Sequence, residues 1–287
     1  MYTLKCNLFA FMIIGFLGKG GSGKSTLSTA MVKYLHGAGN SVLAIDADHN
    51  MDLVWNLTNC DSLTYLGESV GDLNEHSGIN RNQSYKEIFS KNLYPKFSLN
   101  PIDSFTQKYS KQLEKNLYIM ASGPHTETIL SGNKCSHSLS TSLKIYLPFL
   151  ELSDKEAVVV DEKASSDAAG TGVPTGFTIS YIAVEPTPHS IKAAHQIADT
   201  LDFYSSPYEF ILNKVGSPEL ESFALSQLKK KPIAIFPLGL NAFDEGSLSK
   251  MAKHAREVER CDPQARKNRS LHKFKVGREY AQAHNLS

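Results

Sequence analysis

GKGGSGKST, spanning Gly18 to Thr26, satisfies the pattern G-x-x-x-x-G-K-[ST]. Glycines at this spacing let successive backbone N–H groups turn toward phosphate oxygens, and a helix opening directly afterwards adds the positive end of its dipole. The flanks agree with that reading. Phe11 to Leu17 is a continuous apolar run of strand length, and LSTAMVKYLHGAG reads as a helix ending at Gly37 or Gly39. The chain is therefore expected to bind a nucleotide through Gly20, Gly21, Ser22 and Gly23. Lys24 would reach the β- and γ-phosphates, Ser25 would ligate Mg²⁺ through its hydroxyl, and Thr26 would touch the α-phosphate. Lys19 is a second lysine at the head of the loop. It cannot crowd the same phosphates from its own side, so it is expected to reach across to a nucleotide held by a second subunit.

The 287 residues, 41% hydrophobic and with a formal net charge of +1, fit one sizeable soluble domain. They give no global drive toward nucleic acid or a membrane. The N-terminal stretch MYTLKCNLFAFMIIGFLG has the outline of a signal peptide, but its apolar part runs straight into the phosphate loop and reads as the first core strand. Met12 offers an alternative start, with residues 1–11 as an extension. No apolar run is long enough to span a bilayer. Cys6, Cys60, Cys135 and Cys261 are scattered and form no C-x-x-C, which points to the reducing cytoplasm rather than a disulfide framework.

Strand-like and helix-like segments alternate along the chain, the pattern of an α/β fold with a mostly parallel sheet covered on both faces. Strands are expected at Ser41–Ile45, Leu117–Met120, Ala157–Val160, Ile179–Val184, Tyr208–Leu212 and Ile233–Phe236. Helices are expected at Ser138–Leu150, Pro188–Phe203, Pro218–Lys230 and Glu245–Val258. Residues 58–115 fit the alternation poorly and read as an excursion of unclear role.

Open α/β sheets hold ligands at the carboxyl ends of their strands. The second strand ends in Asp46-Ala47-Asp48, where Asp48 could orient or deprotonate an attacking water and Asp46 could support the water shell of Mg²⁺. The structural alternative is that these carboxylates cap the following helix. AVVV runs into Asp161, the place of a Walker B aspartate holding Mg²⁺. After a later strand comes Asn213-Lys214-Val215-Gly216, in which Asn213 could read a base edge. Guanine recognition would want an aspartate where Gly216 stands, so ATP is favoured over GTP.

KGGSGKST at Lys19–Thr26, IDADHNMDL at Ile45–Leu53, the apolar run into Asp161 and the Asn213-Lys214 pair together resemble the deviant Walker A P-loop ATPases. That group includes MinD, ParA, nitrogenase iron protein and the arsenical pump ATPase. Within it the chain is most similar to the nickel-insertion accessory ATPases of carbon monoxide dehydrogenase, the CooC type. The resemblance implies a sheet of seven or eight mainly parallel strands, a homodimer that closes around ATP, and Lys19 as the signature lysine acting across that dimer.

The nickel-type relatives carry a Cys-x-Cys before a helix, where two subunits meet. Here the pair is Cys135 and His137, and two copies would supply a Cys₂His₂ set suited to Zn²⁺ or Ni²⁺. A second departure follows Asp161, where Ser165 takes the place of a family glycine whose amide meets the γ-phosphate. The small-residue stretch after it is expected to act as a switch. The basic residues 259–287 read as a solvated tail beyond an ATPase domain of residues 1–258. They lack the apolar face of a membrane-targeting helix. His125, His189 and His195 read as surface or core residues. The resulting expectation is an ATP-stabilised dimeric switch assisting metal-centre maturation in a metalloenzyme client, with no membrane and no nucleic acid partner. The alternative is a ParA- or MinD-like positioning ATPase, and an iron-sulfur reductase is disfavoured by having only Cys135 suitably placed.

Overall fold

The computed structural model describes residues 12–59, 62–133, 135–164, 166–239, 243–262 and 264–283. Its strands are β1 (Met12–Gly18), β2 (Ser41–Asp46), β3 (Phe97–Ser98), β4 (Ser110–Glu114), β5 (Leu117–Ala121), β6 (Leu150–Glu151), β7 (Glu156–Asp161), β8 (Ile179–Val184), β9 (Tyr208–Val215) and β10 (Ala234–Pro237). Eight of them form one sheet in the order β10-β9-β8-β1-β7-β2-β5-β4. Every pairing is parallel except that of the edge strand β4 with β5. The short strands β3 and β6 pair separately.

Strict alternation of apolar side chains divides the core in two. Ile13, Leu17, Leu43, Ile45, Val158 and Val160 point to one face, while Met12, Ile14, Phe16, Val42, Ala44 and Val159 point to the other. Both faces are covered, which explains why these strands read as unbroken apolar runs. The helices Lys24–Gly37 and Glu245–Cys261 cover the second face, and Leu143–Phe149 and Pro188–Phe203 cover the first. Gly15 keeps β1 open to Phe177, since a Cβ there would lie 2.1 Å from the Phe177 ring.

Two expectations are corrected. The helix expected from Ser138 begins only at Leu143 and follows a tight 3₁₀ turn, Ser136–Ser140. Ser138 Oγ donates to the Cys135 carbonyl at 2.8 Å, the kind of local serine bond that competes with helix. Residues 58–115, the excursion of unclear role, end in β4, which edges the main sheet. Within them Asp72 accepts hydrogen bonds from Lys108, Tyr109 and Arg81, and the Lys108 contact above all holds its carboxyl below the usual range.

The basic segment beyond 258 is not a solvated tail. Residues Ala265–Ala283 form a helix, and Arg266 and Arg269 on it are buried. Arg266 pairs with buried Glu259 at 3.3 Å and donates to the carbonyls of Leu147 at 2.7 Å and Leu150 at 3.4 Å. Arg269 donates to the carbonyls of Thr175 and Phe177, and burial lowers its pKa to about 10. Glu259 in turn accepts from the Thr178 hydroxyl. Removing one member of such a buried pair strands the other charge. Arg266→Ala is therefore expected to cost about 3–5 kcal/mol in urea unfolding. A loss no greater than that of an exposed pair, roughly 0–1 kcal/mol, would return the segment to the status of a tail.

Candidate functional site

The parallel strands deliver their carboxyl ends to one edge of the sheet. β2 and β7 are in register there, so that Asp46 lies beside Asp161. Gly18 closes β1 next to Ala183 of β8. Between them the loop Lys19–Gly23 turns into the helix Lys24–Gly37. Gly23 has φ +90°, the left-handed region, and a Cβ would sit 2.3 Å from Asn213 Nδ2. Only glycine fits that position.

The loop is held by groups that sequence reading did not assign to it. Asn213 Nδ2 donates to the Ser22 carbonyl at 2.8 Å, a contact that braces the loop. Lys214 donates to the Gly21 carbonyl and pairs with Glu185 at 2.9 Å. The Asn-Lys pair after a strand was the visible signal, but nothing in the sequence told that it faces the loop. Lys19 and Gly20 are exposed, as are Gly21 and Thr26, while Ser22 is buried with its hydroxyl unpartnered.

Lys24 is only 6% exposed, and burial lowers its pKa against the opposing charges of Asp161, Asp48, Asp52 and Glu162. Asp161 is fully buried and neither carboxyl oxygen has a hydrogen-bond partner of ordinary geometry among the described residues. Desolvation raises its pKa to about 7, opposed by the nearby Ser25 hydroxyl and by Lys24. Glu162, which the sequence reading passed over, is also fully buried, with no hydrogen-bond partner of ordinary geometry at either oxygen among the described residues and a pKa raised by burial to about 8. Two orphaned Asp161 oxygens near a helix-start hydroxyl form a hard oxygen donor set of the sort Mg²⁺ takes.

Asp46 differs. Its oxygens accept the N–H groups of Asp48 at 3.1 Å and Val54 at 3.0 Å, which are the contacts of the capping alternative. Burial first, then the Asp161 charge, push its pKa well up. Asp48 is nearly buried, accepts from Asn50 N–H at 3.1 Å, and lies 3.2 Å from His49 Nδ1. The His49 ring stacks on His125 with centroids 4.2 Å apart, so His125 belongs to the edge of this site.

Cys135 is exposed and His137 half-buried. Burial, and then the Lys163 charge, lower the His137 pKa, which favours the neutral imidazole. Among the described residues no group of three or more His, Cys, Asp or Glu side chains could hold a metal within one chain. Ser165 lies outside the described residues.

Residues 13–244 match the CobQ/CobB/MinD/ParA nucleotide binding domain, and the chain belongs to that family as a P-loop ATPase. An uncharacterized ATP-binding protein of Methanocaldococcus jannaschii is 28% identical over 229 residues, 79% of this chain and 88% of that protein. The carbon monoxide dehydrogenase accessory protein CooC of Rhodospirillum rubrum is 25% identical over 248 residues, 83% of this chain and 89% of that protein. A plasmid partition protein of Borrelia burgdorferi superposes with a TM-score of 0.54 at 19% identity, covering 85% of this chain and 97% of its own. The septum site-determining protein MinD with Mg-ADP from Pyrococcus horikoshii gives 0.51 at 16%, covering 91% and 94%. These two likenesses carry the fold alone. No helix among the described residues is long and apolar enough to cross a membrane.

If Asn213 braces the loop, Asn213→Ala should weaken ATP and inorganic tripolyphosphate alike, by about tenfold, the cost of one buried carbonyl left unsatisfied. Calorimetry decides between roles, since a base reader would lose ATP affinity and leave tripolyphosphate unchanged.

Proposed function

We propose that the chain is an ATP-dependent homodimeric switch serving metal-centre maturation, with nickel insertion into a metalloenzyme as its task. The observation that carries the reading is the setting of Cys135 and His137. His137 feels the charges of Lys163 and Asp167, and Lys163 feels Cys135. Both charged residues lie in the segment directly after Asp161, so a movement of that segment with the γ-phosphate reaches the pair. The similarity to CooC supports the same class of client.

In hydrolysis, a water held by Asp48 attacks the γ-phosphorus in line, its proton passes to Asp48, and the bond to the ADP oxygen breaks. Lys24 and the loop N–H groups stabilise charge on the β- and γ-phosphates. Lys19 does the same for the nucleotide of the partner. Mg²⁺ held by Ser25 and Asp161 would neutralise phosphate charge. Asp46 shapes the turn that carries Asp48 and, with its spare lone pairs, supports the metal's water shell.

Lys24→Ala should abolish ATP binding, whereas Asp48→Ala should bind ATP in calorimetry and release no phosphate. Equal loss of binding in both variants would remove Asp48 from the chemistry. Lys19→Ala should bind ATP as a monomer yet fail to sediment as a dimer with Mg²⁺ and a slowly hydrolysed analogue; an unchanged dimer would leave it a surface lysine.

For the metal, the dimer is expected to hold about one Zn²⁺ or Ni²⁺, and Cys135→Ala or His137→Ala should each remove most of it. A full complement in the double variant defeats the shared site. A positioning ATPase is the second reading, on the fold likeness to MinD and plasmid partition proteins. Absence of bound metal together with salt-sensitive, ATP-dependent DNA binding would put it first.

A further inference from the structure

Away from the nucleotide edge, a cavity of about 760 Å³ opens between the helices Lys86–Ser90, Leu143–Phe149 and Ala265–Ala283, beside the turn Val173–Gly176. Its volume falls within the range of about 300–1,000 Å³ typical of small-molecule sites. The lining is one-sided in charge: Lys86, Lys144, Lys273 and Arg278 contribute to it, and no Asp or Glu does. The carboxylates on the same helices are engaged elsewhere, Glu87 by Lys91 and Gln83, Glu279 by Lys275. One wall is apolar. Phe89 and Phe274 stack with centroids 4.8 Å apart, and Tyr85 lies beside them.

Cations around an apolar hollow have a plain explanation, since long side chains lay their stems on apolar surface and keep their ends in water. That accounts for Lys86 and Arg278, which are exposed. It does not account for the other two. Lys144 is half-buried, its ammonium makes no hydrogen bond or ion pair among the described residues, and its pKa is lowered by burial and then by the charges of Lys273 and Lys163, against weaker opposition from Cys135 and Glu162. Lys273 is fixed in place, donating to the Tyr204 hydroxyl at 2.6 Å and sitting 4.1 Å over that ring. Its stem fills the space above Gly172, where a Cβ would come 2.6 Å from Lys273 Cε. Lys144 and Lys273 thus both line the hollow, near enough for the Lys273 charge to act on Lys144, and the Lys144 ammonium is without a partner among the described residues, a placement that an anion would relieve.

We propose that this cavity binds a small organic anion with an apolar or aromatic body, its rings against Phe89 and Phe274 and its carboxylate, sulfonate or phosphate group between Lys144 and Lys273. The site is separate from the phosphate loop and does not depend on the role given to the ATPase.

The test uses anilinonaphthalene sulfonate as the probe and phenylnaphthylamine, the same ring system without the sulfonate, as its neutral counterpart. Fluorescence titration of the full chain should give one saturable site that prefers the sulfonate. Lys144→Met and Lys273→Met should each weaken the sulfonate probe about tenfold, as loss of a charge-assisted hydrogen bond does, and leave the neutral probe unchanged. Gly277→Trp, at an exposed lining position where a Cβ meets nothing within 4 Å, should exclude both. ATP calorimetry and urea unfolding of each variant report folding separately, so a failed ATPase reading does not imitate a failed cavity. Equal affinity for the two probes, unchanged sulfonate binding in both lysine variants, probe binding retained in Gly277→Trp, or no saturable binding at all would overturn the proposal.

Discussion

Carboxyl groups buried at the ends of β2 and β7 are the constraint to which the site is built. Asp46, Asp161 and Glu162 are all fully buried, and the parallel register sets Asp46 directly against Asp161. Buried carboxylates are costly unless protonated, hydrogen-bonded or met by a cation. The fold uses a different answer for each. Asp46 is met by two backbone N–H groups. Glu162, with no hydrogen-bond partner of ordinary geometry among the described residues, has its pKa raised by burial to about 8, against the pull of Lys163. Asp161 has its pKa raised by burial to about 7, with the Ser25 hydroxyl and Lys24 drawing it toward the charged form. Its two unpartnered oxygens beside Ser25 make Asp161 the carboxyl placed to meet a positive charge arriving there.

The phosphate loop obeys a second constraint, that its N–H groups must face outward while its carbonyls find partners. Lys214 and Asn213 take the carbonyls of Gly21 and Ser22 from the β9 side. Because the trans peptide sets N–H opposite C=O, anchoring the Ser22 carbonyl turns the Gly23 N–H away from Asn213. The Lys214 ammonium is itself fixed by Glu185 at the end of β8. Three neighbouring strand ends therefore set the orientation of one loop, and the requirement for glycine at position 23 follows from how closely Asn213 approaches.

Much of this was legible in the sequence where one local rule acted alone. Apolar runs located the buried parallel strands, and Thr187-Pro188 fixed the start of the helix Pro188–Phe203, where Thr187 Oγ1 accepts from Ser190 N–H. Where long-range partners decided the outcome, sequence reading failed. Arg266 and Arg269 look like a solvated basic run until Glu259 and the carbonyls of Leu147, Thr175 and Phe177 are seen to enclose them. The role of Asn213 as a brace depends on Ser22, 191 positions away. β4 escaped notice because an edge strand, half exposed and polar, carries no apolar run. Glu162 carries no local signal of its burial at all.

The C-terminal helix also bears on the nucleotide edge, through a chain of direct contacts. Arg269 holds the carbonyls of Thr175 and Phe177, the Phe177 ring packs onto Gly15 of β1, and β1 ends in the phosphate loop. The same stretch, Thr171 to Thr175, lines the cationic cavity and follows closely on Asp161. Packed interiors resist continuous deformation, so a displacement that reaches Thr175 and Phe177 must either break the Arg269 contacts or carry the helix with it. Breaking them would leave a buried guanidinium unpaired, the more costly course.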